Sequence, residues 1–223
     1  SVAIMVLFEE GKLLLDDPVS KYLPAFRKQQ VIATFNETDT TYTTVPAKSE
    51  ITIRQLLTHT SGLGYAQIGS KEANAIYAKA NLTAGIGVVG DDLLSAMNRL
   101  GKLPLMHQPG ERWTYGLNSD LLGCLVEQIS GKTLDQFFKE KIFAPLGMND
   151  THFHLPAAKA TRLVKLYREL PGGKLEKSSG NMLNGRTITP DYPLEGSTYY
   201  SGGAGLSSTI EDYAIFLQML LNG

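Results

Sequence analysis

Four groups of residues carry side chains or backbone suited to chemistry. Tyr115, beside the single tryptophan Trp113, offers a phenol. It can move a proton if a cation stands next to it, or pack as an aromatic with a wet polar tip. His59, in Thr58-His59-Thr60-Ser61-Gly62, offers an imidazole as a base, or packs in the turn that ends a short helix. His152-Phe153-His154 puts two imidazoles on one side of a strand, as metal ligands would stand. No third ligand lies close in sequence, so an edge strand is expected there and no metal site. Gly202-Gly203-Ala204-Gly205 precedes a helix, whose N-terminus favours anions. It lacks the Gly-Lys-Ser/Thr of a phosphate cradle, so its glycines read as conformational. No Gly-x-Ser-x-Gly elbow occurs, which leaves an α/β-hydrolase unsupported. Cys124 lies on an apolar helix face and reads as a small buried hydrophobe.

The elements that must position these residues are mostly helices. Ser1 to Glu10 is a helix, apolar through Phe8 and closed by Gly11. Asp17-Pro18 starts a short turn. Val31 to Phe35 and Thr41 to Val45 form a small hairpin, because β-branched residues cluster there. Thr52 with Gln55 is a capping box that opens a short helix over Ile53, Leu56 and Leu57. Helices follow over Lys71 to Ala80 and Asp91 to Leu100. Pro109-Gly110 is a turn. Leu121 to Ser130 is a helix with Leu121, Leu122, Leu125, Val126 and Ile129 at helical spacing and Gly131 at its end. Thr133 with Gln136 caps the helix Leu134 to Phe143, which Pro145 is expected to stop. Thr151 to His154 reads as a short strand. Val164 to Arg168 and Lys174 to Glu176 flank the turn Pro171-Gly172-Gly173. Residues 178 to 198 read as an irregular loop. Ser208 with Glu211 is a third capping box, opening Thr209 to Asn222. Strands are short and scattered, and none is long enough for the centre of a doubly wound sheet. The fold class is therefore mainly α with small β elements, α+β.

Length and composition exclude several functions. The 223 residues are 43% hydrophobic and 19% charged, a globular balance rather than a disordered one. Twenty-one basic against 22 acidic residues give a net charge of −1, so no field of one sign exists to hold nucleic acid. One cysteine excludes an intramolecular disulfide framework. No stretch approaches the ~20 apolar residues of a membrane span.

Four strings in order carry a resemblance: Leu56-Leu57-Thr58-His59-Thr60-Ser61-Gly62-Leu63; Pro109-Gly110-Glu111-Arg112-Trp113-Thr114-Tyr115; Ile142-Phe143-Ala144-Pro145-Leu146-Gly147-Met148-Asn149-Asp150-Thr151; and Gly202-Gly203-Ala204-Gly205-Leu206-Ser207-Ser208-Thr209. Together they resemble the serine hydrolases related to class C β-lactamases, penicillin-binding proteins and carboxylesterases. The resemblance runs over residues 1–223. It implies an acyl-serine intermediate formed by a serine in Ser-x-x-Lys, a catalytic tyrosine, an oxyanion hole of backbone N–H groups, and no metal or organic cofactor. The substrate would be a small-molecule ester, amide or β-lactam. Tyr115 stands where the family places its tyrosine, and is the one catalytic residue carried over.

The sequence also departs from the family. No serine of the chain has lysine three residues on. The third motif, which follows the helix resembling Thr209 to Asn222, is likewise absent. The expectation is a single, mostly helical region of a β-lactamase-like domain, truncated at both ends, with most of the central sheet missing and no activity by itself. A free phenol, with a pKa of ~10, is a poor base at neutral pH, and the lysine that would favour its phenolate is not present. In the β-lactamase branch the tyrosine is followed by x-Asn; here Asn118 comes three residues on, and the pattern Tyr115, Asp120, x-Leu122-Gly123 resembles the carboxylesterase branch. An ester substrate is therefore favoured. The alternative is a non-catalytic, penicillin-binding-protein-like module that binds peptides or a protein partner. By family, a bacterial source and a periplasmic or secreted location are expected.

Overall fold

The computed structural model describes residues 1–66, 68–183 and 186–223. Its helices are α1 (Val2–Glu9), α2 (Ile53–Leu57), α3 (Lys71–Lys79), α4 (Leu93–Leu100), α5 (Asn118–Ser130), α6 (Leu134–Phe138), α7 (Ala144–Leu146) and α8 (Ile210–Asn222). The strands are β1 (Gln30–Phe35), β2 (Tyr42–Pro46), β3 (Tyr167–Leu170), β4 (Lys174–Lys177), β5 (Asn181–Leu183) and β6 (Arg186–Ile188). They form three antiparallel hairpins, β1-β2, β3-β4 and β5-β6. Among the described residues no larger sheet is present, so the α+β reading holds.

Helix α5 is the centre. It packs against α1, α2, α4 and α6. Leu121, Leu122, Cys124, Leu125 and Val126 are all buried. Each large aliphatic among them contributes ~1.5–3 kcal/mol on leaving water. Gly131, left-handed at φ +71°, closes the helix. From α1, Ala3, Ile4 and Leu7 reach this core. Both capping boxes are formed: Thr52 with Gln55 at α2, and Thr133 with Gln136 at α6.

Four expectations need correction. Pro145 does not stop its helix. A π turn over Lys139–Phe143 widens the backbone ahead of it, and Pro145 is carried in the first turn of α7. Proline has no N–H to donate there, and the chain turns out only at Gly147, at φ +70°. His152 makes only an isolated bridge with Ser207, because Ser207 runs at once into the cap of α8 and no ladder can grow. The cap of α8 is Thr209, whose hydroxyl accepts the Asp212 N–H at 3.2 Å, not Ser208. The Ser208 hydroxyl is engaged with Thr151 at 2.8 Å instead. Within 178–198, expected to be a loop, β5 and β6 pair through Met182 and Thr187; residues 184 and 185 lie outside the described residues.

Two glycines permit close backbone approaches at α5. A Cβ on Gly116 would stand 2.1 Å from the Leu63 carbonyl oxygen. One on Gly202 would stand 2.2 Å from the Ser119 carbonyl oxygen. Both obstacles are backbone and cannot rotate away. Gly116→Ala should therefore cost roughly 3 kcal/mol or more in urea unfolding, the range of severe packing defects. Gly131→Ala meets nothing within 4 Å and should cost only the left-handed backbone penalty of about 1–2 kcal/mol.

Candidate active site

Tyr115 sits at the edge of an aromatic platform. Its ring stacks on His59, with centroids 5.7 Å apart and planes 7° off parallel. Tyr65 stacks on it as well, at 5.4 Å and 17°. Trp113 lies tilted at 6.5 Å. The platform faces water: Tyr115 is 47% exposed and Trp113 64%.

The base is built by two segments latched together. Residues 59–64 accept backbone N–H bonds from Met106 to Gly62 (2.7 Å), Gly110 to Thr60 (2.7 Å), Thr114 to His59 (2.8 Å) and Leu117 to Gly64 (3.0 Å). Gly62, at φ +89°, passes so close to the second segment that a Cβ would stand 2.4 Å from the His107 carbonyl oxygen. His107 is buried between them. Its Nδ1 lies 2.9 Å from the Gln108 carbonyl and its Nε2 lies 2.8 Å from the Thr114 hydroxyl. A carbonyl only accepts, so Nδ1 carries the proton and the Thr114 hydroxyl donates to Nε2. This ties down the strand of chain that carries Tyr115.

His59 is held in a strained conformation. It is left-handed at φ +55°. It occupies the position after the C-cap of α2, where its N–H bonds the Leu56 carbonyl at 3.2 Å and the Thr60 N–H bonds the Gln55 carbonyl at 2.8 Å. Glycine is the usual residue at that position. The Nδ1 of His59 accepts from the Asn118 amide at 3.0 Å. The Asn118 carbonyl oxygen accepts from the Ser61 hydroxyl at 2.5 Å. Asn118 and Ser61 are fully buried. The imidazole is thus neutral with its proton on Nε2, and burial pushes its pKa below the ordinary 6.5. His59 acts as the packing partner of the Tyr115 ring.

A second buried polar group stands two residues further on, in the same turn. Asp120, in the first turn of α5, accepts the Ser201 hydroxyl at 2.8 Å. It also accepts the Gly202 and Gly203 N–H groups. Burial pushes its pKa above the usual carboxylate range against those bonds. The glycine stretch is therefore docked on the site end of α5, and its N–H groups are taken by a carboxylate rather than presented to a phosphate. Ser61 and Ser201 are both buried with their hydroxyls donated, so neither is an exposed nucleophile. His152 and His154 lie elsewhere. His152 Nε2 stands 3.3 Å from the Lys159 ammonium, and His154 Nε2 donates to the Ser197 carbonyl at 2.8 Å. Among the described residues no three His, Cys, Asp or Glu side chains converge on a point.

The sequence points to Tyr115 and to His59 as packing within its turn, and the structure adds that the two rings stack. Of the buried polar groups beneath them only Ser61 lies inside a motif string; Asn118 and His107 lie outside all four strings, and no local signal marks them.

The chain belongs to the β-lactamase family: the Beta-lactamase family model matches residues 1–223. A Mycobacterium tuberculosis protein is 35% identical over 220 residues, covering 98% of this chain and 50% of the relative. Esterase EstB of Burkholderia gladioli is 31% identical over 219 residues, covering 95% of this chain and 52% of the esterase. Among solved structures, EstCE1, a hydrolase with promiscuous acyltransferase activity, superposes with TM-score 0.76 at 27% identity over 98% of this chain and 55% of that one. The chain spans about half the length of the curated relatives it matches.

Three measurements check this geometry. Ser61→Ala strands the Asn118 carbonyl and should cost about 1–3 kcal/mol in denaturant unfolding. Asp120→Ala strands a hydroxyl and two N–H groups and should cost at least as much. Because folding lowers the His59 pKa below 6.5, the unfolded chain takes up a proton that the folded chain refuses. Its contribution is intact above pH 6.5 and is lost as pH falls from 6.5 towards the lower folded value. His59→Asn, which tolerates the left-handed turn, should flatten that part of the decline in melting temperature between about pH 7 and about pH 5.

Proposed function

We propose that these residues form the helical wall of a serine hydrolase that cleaves esters through an acyl-serine intermediate, with Tyr115 as its catalytic phenol. The observation that carries the proposal is the Tyr115 hydroxyl. It stands in water on a platform fixed from below, and among the described residues it makes no hydrogen bond. A phenol held this rigidly in the open is placed to shuttle a proton to or from a reacting oxygen.

Residues 1–223 contain no Ser-x-x-Lys. On this reading the nucleophile and its lysine would be supplied from outside them, and the cleft would lie between that part and the platform. The lysine ammonium would favour the phenolate of the tyrosine, which would then take the serine proton as the oxygen attacks the ester carbonyl. The same proton would pass to the departing alkoxide. The known relatives include esterases, such as EstB and the lovastatin esterase of Penicillium rubens. An ester rather than a penicillin-type amide is favoured by the residues after Tyr115. Position +2 is Leu117, which is buried, and Asn118 at +3 is buried beneath His59. Neither amide nor carbonyl of Asn118 is free to hold a substrate.

Fluorophosphonate labelling with intact-mass readout tests this. The 223-residue chain should take no stoichiometric adduct, and a longer form carrying Ser-x-x-Lys should take one, on that serine. In the longer form Tyr115→Phe should lower kcat for p-nitrophenyl esters by about 10²–10⁴-fold, the range of a lost general acid–base group, with KM little changed. An adduct on a serine within residues 1–223 would refute the external nucleophile. An unlabelled longer form would favour a non-catalytic binding module.

A further inference from the structure

A cavity of about 330 Å³ opens against one side of Tyr115. That volume is within the range of small-molecule sites. Its lining is mixed: Ile32 and Met106 are apolar, Ser70 and Thr114 polar, and Glu72 and Arg112 charged. The two charges are not equally available. Glu72 lies in the first turn of α3, where the helix N-terminus favours a carboxylate. It also accepts the Ser70 hydroxyl. Its needs are met within its own helix.

Arg112 is different. Among the described residues its one ion pair is with Glu111 at 3.9 Å, a distance without a good hydrogen bond. Glu111 itself accepts the Gln108 N–H at 3.2 Å. A guanidinium carries five donors in a planar fork that fits a carboxylate two-pronged. Among the described residues this fork is left uncommitted, three residues from Tyr115, at the edge of a cavity that both residues line.

We propose that the cavity is a substrate subsite for a carboxylate-bearing acyl chain: its apolar part lies on Ile32 and Met106, and its free carboxylate pairs with Arg112. The proposal rests on the reading of Tyr115 as a wall of the ester cleft. It assigns the substrate class as half-esters of dicarboxylic acids, with the ester end at the phenol and the acid end at the guanidinium. A second carboxylate would stand at the Tyr115 end, where the neighbouring rings of His59, Tyr65 and Trp113 offer it no ion pair. The site thus selects the monoanion over both the neutral diester and the free diacid.

Binding can be read without turnover. Trp113 is the single tryptophan, adjacent in sequence to Arg112 and with its ring 6.5 Å from that of Tyr115. Quenching of its fluorescence by monomethyl adipate, dimethyl adipate and adipate, titrated into the 223-residue chain, reports occupancy of the cavity. Monomethyl adipate should bind about fivefold to tenfold tighter than the diester, a charge-assisted pair discounted for an exposed partner. Adipate should bind more weakly than the monoester. Arg112→Gln should abolish the preference, and Arg112→Lys should keep part of it. Equal affinities for monoester and diester, a preference that survives Arg112→Gln, or no saturable quenching by any of the three would overturn the subsite. These outcomes are independent of the serine. A longer form that fails to label would end the hydrolase reading and leave the binding result standing.

Discussion

The first turn of α5 is the constraint on which the rest of the molecule depends. Two polar groups, Asn118 and Asp120, are buried there within three residues of each other. A buried polar group without partners costs several kcal/mol, so each must be met by hydrogen bonds from elsewhere in the chain. Asn118 draws in Ser61 and His59 from the segment after α2. Asp120 draws in Ser201 and the glycine stretch before α8. Segments some sixty and eighty residues away in sequence are thereby pinned to one helix end. The close approaches at Gly116 and Gly202 follow, because only a residue without Cβ lets the backbones come near enough for those bonds to form.

That constraint connects folding to the site. The Asn118 amide fixes the His59 imidazole, and the imidazole carries the Tyr115 ring on its face. The left-handed backbone of His59 is strain that glycine would relieve, yet glycine has no ring to stack. Strain of this kind persists where surrounding bonds over-determine the conformation, and such places cluster at working sites. The outcome is an exposed aromatic surface with a rigid foundation, next to a cavity that Ile32, Met106 and Arg112 help to line. The hydrophobic core under α5 supplies the stiffness. The polar pairs decide where the stiffness points.

Much of the fold was legible in the sequence because its signals are local. The capping boxes at Thr52 and Thr133 close within four residues, and both form. The β1-β2 hairpin follows from clustered β-branched residues, and the apolar stripe of α5 from helical spacing. At Pro145, Ser208 and His152 local rules are overruled by a contact or a turn that they do not contain: a π turn, the Thr151 hydroxyl, and a partner strand cut short by a cap. Tyr115 was found through its surrounding string rather than through its own chemistry, since a tyrosine beside a tryptophan is more often simply packed.

The sequence by itself determined most of the helices, the capping boxes at Thr52 and Thr133, the α+β class, the family resemblance, and the absence of a Ser-x-x-Lys from residues 1–223. Those depend on neighbours a few residues apart, where chain geometry leaves little choice. Only the tertiary structure decided that His59 lies beneath Tyr115, that Asn118 is taken up by His59 and Ser61, and that Asp120 takes the glycine N–H groups. Each of these is a pairing across tens of residues. Which donor meets which acceptor is settled by where the packed core brings the backbones together, and spacing along the chain does not contain that distance.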